Sequence, residues 1–150
     1  MPHDISATGL SVTISSSVTF PAGFTLTSFA DDADPLDIPD KIIAEVAMNI
    51  NGELISWSTP TPNLVTLNLI AGSEDAVNLG YILDANTARK GGLHVGDLIT
   101  MVVVYPDGVK AIARNGKLLS GPVGISAASS GRKKSAVFQF AFQDFDAVRV

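Results

Sequence analysis

Apolar and polar residues alternate along much of this 150-residue chain, and that alternation predicts a protein built mainly from strands. Leu10, Val12, Ile14, Ser16, Val18 and Phe20 share one parity, the mark of a half-buried strand over residues 10–20. Pro21-Ala22-Gly23 punctuates the run, and residues 24–29 read as a second short strand that pairs with the first. Residues 41–50 and 53–58 flank Asn51-Gly52, a dipeptide that favours a type I′ hairpin with positive φ at both central positions. The break Thr59-Pro60-Thr61-Pro62 follows, and residues 63–70 are expected to add a third strand beside that hairpin.

Further along, residues 97–105 are almost wholly apolar and rich in β-branched side chains, which predicts a central strand covered on both faces. Pro106-Asp107-Gly108 should turn this strand into residues 109–114, and Asn115-Gly116 should turn the chain again into residues 117–119. In the last strand Phe138, Phe140 and Phe142 share one face, with Gln139, Ala141 and Gln143 on the other. Burying each phenylalanine is worth roughly 1.5–3 kcal/mol, so this strand should close the core. Residues 121–131, rich in Gly, Ser and Ala, predict a mobile loop.

One stretch breaks the two-residue period. Ala76, Leu79, Gly80 and Leu83 fall at helical spacing, a stripe suited to lying on a sheet. Ser73 can cap the free N–H groups, Glu74 and Asp75 face the positive end of the helix dipole, and Arg89-Lys90 with Gly91-Gly92 suit its end. The expected fold is therefore mainly β (α+β): an antiparallel β-sandwich or barrel with one flanking α-helix at about residues 73–87. Residues 1–150 are expected to form a single domain.

Composition narrows the function classes. Without cysteine the chain has no disulfide, thiolate metal site or cysteine nucleophile, which suits synthesis in a reducing cytoplasm. Met1-Pro2-His3-Asp4 has neither the basic nor the apolar part of a signal peptide, so export by a signal of its own is not expected. The longest apolar run, residues 98–105, is far short of the ~20 residues of a membrane span, and no membrane partner is expected. The net charge of −5 conceals an asymmetry: residues 1–88 hold eleven acidic residues against Lys41 alone, whereas residues 89–150 hold nine basic against four acidic. The halves either mix in space or form an acidic and a basic pole suited to head-to-tail stacking.

Candidate chemistry is sparse. His94 and Asp97 could be imagined activating a serine, but no Gly-x-Ser-x-Gly elbow accompanies them, and an exposed loop histidine is the simpler reading. The same segment has the spacing of a "GL-x-x-GD-x-I" stretch of PDZ domains without their carboxylate-binding loop. Asp31, Asp32, Asp34 and Asp37 belong to a run of five aspartates in ten residues. They lack the spacing, glycine and distal glutamate of a calcium loop, and with Pro35 and Pro39 they read as a solvated edge or loop. A glycosidase would need two carboxylates across a cleft, which spacing alone does not place. Arg132, Lys133 and Lys134 lack the aromatic interleaving of a nucleic-acid site and read as charges flanking a strand or an interface. No catalytic residue, metal site or cofactor is expected.

The order of these features resembles the tail tube proteins of contractile-tailed bacteriophages. The resemblance rests on Phe24-Thr25-Leu26-Thr27-Ser28-Phe29-Ala30-Asp31-Asp32-Ala33-Asp34-Pro35-Leu36-Asp37-Ile38, then on Gly52, residues 58–62 and the strand Val65-Thr66-Leu67-Asn68-Leu69-Ile70. It continues through Ala71-Gly72-Ser73 into a helix carrying Leu79, and through residues 132–144 with their phenylalanines. The Ser-rich N-terminal strand and residues 121–131 depart from it. The resemblance implies a fold related to type VI secretion tubes, with subunits closing into hexameric rings that stack around a channel for DNA. It implies as partners the chain itself, tail sheath, tape measure and baseplate hub proteins, with DNA passing unbound, in a virion tail assembled in the bacterial host cytoplasm. Asp31, Asp32, Asp34, Asp37, Glu45 and Glu53 become candidates for the lumen or a ring interface, and Arg132, Lys133 and Lys134 for ring stacking. A tube initiator or baseplate-proximal adaptor would share this fold. The rival from another class is a monomeric β-sandwich carbohydrate-binding module, which the expected inner-strand position of Trp57 disfavours.

Overall fold

The computed structural model describes residues 9–31, 34–88 and 96–147. Among these residues nine strands and one helix follow in order: β1 (Ser11–Ser16), β2 (Phe24–Leu26), β3 (Leu36–Asp37), β4 (Ala44–Met48), β5 (Leu54–Ser58), β6 (Asn63–Leu69), α1 (Glu74–Asn86), β7 (Ile99–Val104), β8 (Lys110–Ser120) and β9 (Ala136–Ala147). Seven strands form one sheet in the order β2-β1-β7-β8-β9-β6-β3, and every pair in it is antiparallel. The sheet curls back on itself. The chain leaving β2 reaches β6, where Phe29 bridges Leu69, Ala30 N–H donates to the Asn68 carbonyl at 3.0 Å and Ile70 N–H to that of Ser28 at 2.9 Å. The expected mainly β fold with one helix is the observed one, its antiparallel sheet curled into a half-barrel.

The core follows from the alternation. Val12 and Ile14 of β1, Val65, Leu67 and Leu69 of β6, and Phe138, Phe140 and Phe142 of β9 all point into one apolar cluster. Leu79 and Ile82 of α1 join it, so the buried stripe of the helix is Asp75, Leu79 and Ile82, not the expected set at 76, 79, 80 and 83. Ser73 caps the helix, its Oγ accepting from Ala76 N–H at 3.3 Å. Asp75 is buried because its carboxylate accepts the N–H groups of Thr27 and Ser28 at 2.7 and 2.9 Å. At the other end Asn86 donates to Asp97 at 2.8 Å and accepts the Asp97 N–H at 3.0 Å. Asp97 in turn accepts from Val18 N–H, Thr19 N–H and the Thr19 hydroxyl. Two carboxylates thus pin the helix to the barrel. His94, Arg89 and Lys90 lie outside the described residues, and Asp97 is a structural acceptor.

Several expectations need correction. The first strand ends at Ser16, because Ser16 Oγ takes the Phe20 N–H at 2.7 Å and Val18 turns outward, 60% exposed. Strand β7 alternates between buried and half-buried positions, so only one of its faces is fully covered. Asn115-Gly116 makes no turn. Asn115, at φ 54°, forms a bulge within β8 where the register against β7 shifts by one residue. Such a bulge bends a strand without ending it. Gly116 then lies opposite Phe142, and a Cβ there would come within 2.2 Å of the ring, so only glycine fits. Lastly, β6 joins the barrel between β9 and β3. The hairpin β4–β5 is left alone as a separate two-stranded sheet.

Candidate assembly surface

That isolated hairpin is the most unusual surface of the molecule. It leaves the barrel through residues 38–43 and returns through residues 59–62, and Thr61 Oγ1 ties the two stalks by donating to the Ile42 carbonyl at 3.2 Å. The strands pair Ala44 with Ser58, Glu45 with Trp57, Val46 with Ser56, Ala47 with Ile55 and Met48 with Leu54. The connection is not the expected type I′ turn: Gly52 has φ 80° and Asn51 does not share the positive φ. Asn49 N–H donates to the Glu53 carbonyl and Gly52 N–H to that of Asn49, each at 3.0 Å, which is a three-residue loop with glycine in the left-handed position. The Asn49 side chain reinforces it by accepting the N–H groups of Asn51 and Glu53.

Residues opposite each other share a face, so the arm has two unlike sides. Val46, Met48 and Leu54 occupy one, with Ala44, Ser56 and Ser58. Glu45, Glu53, Ile55 and Trp57 occupy the other, where Trp57 Nε1 donates to Glu45 at 3.1 Å. Every residue of both strands is exposed, including Val46 at 60%, Met48 and Leu54 at 65%, and Ile50 at the tip, fully exposed. Trp57 is therefore not on an inner strand, and the argument that set it against a carbohydrate-binding surface falls away. A lone two-stranded hairpin is marginally stable in water, and a contiguous apolar patch of this kind marks an interaction surface.

The charged candidates fall into two groups. Glu45 and Glu53 sit on the arm. Asp31 follows β2 and meets Arg132, whose guanidinium lies 2.9 Å from its carboxylate. The hydrogen bond from Arg132, with the positive charge behind it, holds the Asp31 carboxyl below the ordinary aspartate value. The acidic and basic stretches, 101 residues apart, therefore touch at this point. Asp34 is exposed, with its carbonyl accepting from Asn68 at 2.7 Å, and Asp37 is exposed on the edge strand β3. Asp32 lies outside the described residues. Lys133 bridges Ala127, and Lys134 N–H donates to the Ser126 carbonyl at 2.7 Å. No group of three or more acidic or histidine side chains able to hold a metal occurs among the described residues.

The family model described as tail fiber protein gp32 matches residues 3–146. The chain belongs to the tail fiber protein gp32 family. Among solved structures, a chain of the anti-feeding prophage baseplate, 6-fold symmetrised, superposes with TM-score 0.56 at 9% identity, covering 99% of this chain and 97% of that one. A chain of the anti-feeding prophage cap, the tube terminating cap, gives TM-score 0.56 at 12% identity, with 100% and 94% coverage. A chain of the sheath–tube complex of the extracellular contractile injection system PVC, in its extended state, gives 0.51 at 11% identity, with 93% and 88% coverage. No curated protein sequence matches the chain. The gp32 family member thus has a fold shared with parts of contractile injection systems, as the tube-protein resemblance led us to expect.

Proposed function

We propose that this chain is a non-enzymatic structural protein of a contractile tail that assembles with copies of itself into tube rings, the β4–β5 arm making the contact between subunits. The observation that carries the reading is the arm, whose apolar side chains on both faces find no cover in their own chain. Burying Val46, Met48 and Leu54 against a neighbour would supply about 1.5–3 kcal/mol for each side chain. It would also give the outer edges of β4 and β5 the strand partners they lack. Six subunits per ring, stacking into a tube, is the arrangement we favour. Sheath, tape measure and baseplate hub proteins would be its neighbours in the virion. Exposed carboxylates such as Asp34 and Asp37, turned to the lumen, would repel DNA phosphates where basic residues would hold them.

A second reading, a ring at the end of a tube, draws support from the two superpositions at 0.56, onto chains of a baseplate and of a terminating cap. One experiment separates the readings: electron microscopy of the purified protein with light scattering over a concentration series. A tube subunit forms long tubes, whereas an end ring stops at rings. Val46→Asp with Leu54→Asp should reduce either to monomers whose circular dichroism still reports the folded sheet. A wild type that stays monomeric throughout would refute assembly and favour a solitary binding module.

A further inference from the structure

The arm must land somewhere, and the molecule carries a matching recess. A groove of about 560 Å3 opens between α1 and the segment after β8, inside the range of about 300–1,000 Å3 typical of binding clefts. Ala76 and Gly80 keep it open by being small, while Val77 and Ile125 line it and stay 45% and 58% exposed. Lys134 stands beside them.

Its place in the fold is the decisive point. Strand β9 begins at the groove, which Ala136 and Phe138 line, and ends beside the stalk of the arm, where Phe145, Ala147 and Ile42 line one cavity. Strand β6 runs between the same two sites in the opposite sense, from Asn63 beside the stalk to Ala71 just beyond its end, at the groove. Stalk and groove therefore lie about 25–30 Å apart, at opposite ends of the longest strand, given roughly 3.3 Å per residue.

We infer that the groove receives the arm of a second copy of this chain, so that each molecule gives its arm in one direction and accepts another from the reverse. This deepens the assembly reading and rests on it. The two surfaces are complementary in chemistry: an apolar tip of Met48, Ile50 and Leu54 with Glu53 beside it meets an apolar groove bordered by Lys134. A contact joining unlike patches at opposite ends is heterologous, so it passes from each copy to the next, as assembly of tube subunits requires.

The absence of cysteine makes a clean test possible. Ile50→Cys and Val77→Cys are prepared as separate proteins, mixed and oxidised, with Ile125→Cys as an independent groove position. The mixture should give an I50C–V77C dimer at least tenfold above either variant alone. The double variant Ile50→Cys, Val77→Cys should give a ladder of oligomers, and Lys134→Glu should thin that ladder several-fold. Assembly seen by scattering without the ladder, or disulfides formed chiefly between two I50C copies, would overturn the inference while leaving ring formation standing. A wild type that never assembles would overturn both.

Discussion

Asp97 offers the sharpest test of how the barrel is held together. It is 1% exposed, and its carboxylate ties the corner after β1 to the end of α1 through Val18, Thr19 and Asn86. Asp97→Ala strips the acceptor from two backbone N–H groups and from the Asn86 amide. Each such loss costs about 1–3 kcal/mol when water cannot replace it. Val18 is exposed and Thr19 half-buried, so solvent recovers part, and a total of about 2–4 kcal/mol is expected. At about 2–4 °C per kcal/mol for a chain of this size, the melting temperature should fall by roughly 5–15 °C. Asp97→Asn keeps one oxygen but presents an NH2 group to the Asn86 amide, and should cost about 1–2 kcal/mol.

Acid adds a second dimension to the same experiment. Burial raises the Asp97 pKa, but the hydrogen bonds from Thr19, Asn86 and the Val18 N–H outweigh it, so the carboxyl is held below the ordinary value of 3.8. A depressed folded-state pKa stabilises the fold fully above the unfolded value and loses that contribution as the pH falls towards the folded one. The advantage of wild type over Asp97→Asn should hold at neutral pH and shrink below 3.8. Denaturation followed by circular dichroism would measure it, in the Val46→Asp, Leu54→Asp background, because the proposed assembly would make apparent stability depend on concentration. An alanine variant within about 0.5 kcal/mol of wild type, inside the scatter of ordinary surface changes, would refute the reasoning, and so would an advantage that did not change with pH.

Other outcomes follow from the same structure. Gly116→Ala forces a methyl group into the Phe142 ring and should cost about 1–3 kcal/mol through overpacking, read as an earlier denaturant midpoint. Ser73→Ala removes the helix cap and should cost about 1 kcal/mol, measured the same way. Asp31, Asp34 and Asp37 changed together to Asn should leave assembly intact while slowing DNA release from reconstituted particles. Release at the wild-type rate would remove these residues from the lumen.

How much of this was legible in the sequence depended on the range of the interactions. Alternation placed β1 and β9 and named Val12, Ile14, Phe138, Phe140 and Phe142 as inward residues, because a two-residue period is local and one face of each strand is buried. The two Asn-Gly pairs show where local reading stops. Asn51-Gly52 connects a hairpin that nothing else engages, whereas Asn115-Gly116 lies in a strand paired on both sides, where β7 and β9 hold the chain extended across the bulge. The Asp31–Arg132 pair joins segments with no local relation and could not be read from spacing. Nor could the isolation of the arm, since an apolar hairpin looks the same whether its own barrel covers it or a neighbour does.

The ladder between β6 and β9 has a mechanical consequence. It spans the molecule from stalk to groove, so a force applied between those sites runs along the strands. Its hydrogen bonds are then loaded together in shear and must fail together, whereas a pull across the strands would open them one after another. The barrel is therefore oriented to resist tension along the line from the arm's stalk to the groove beside α1.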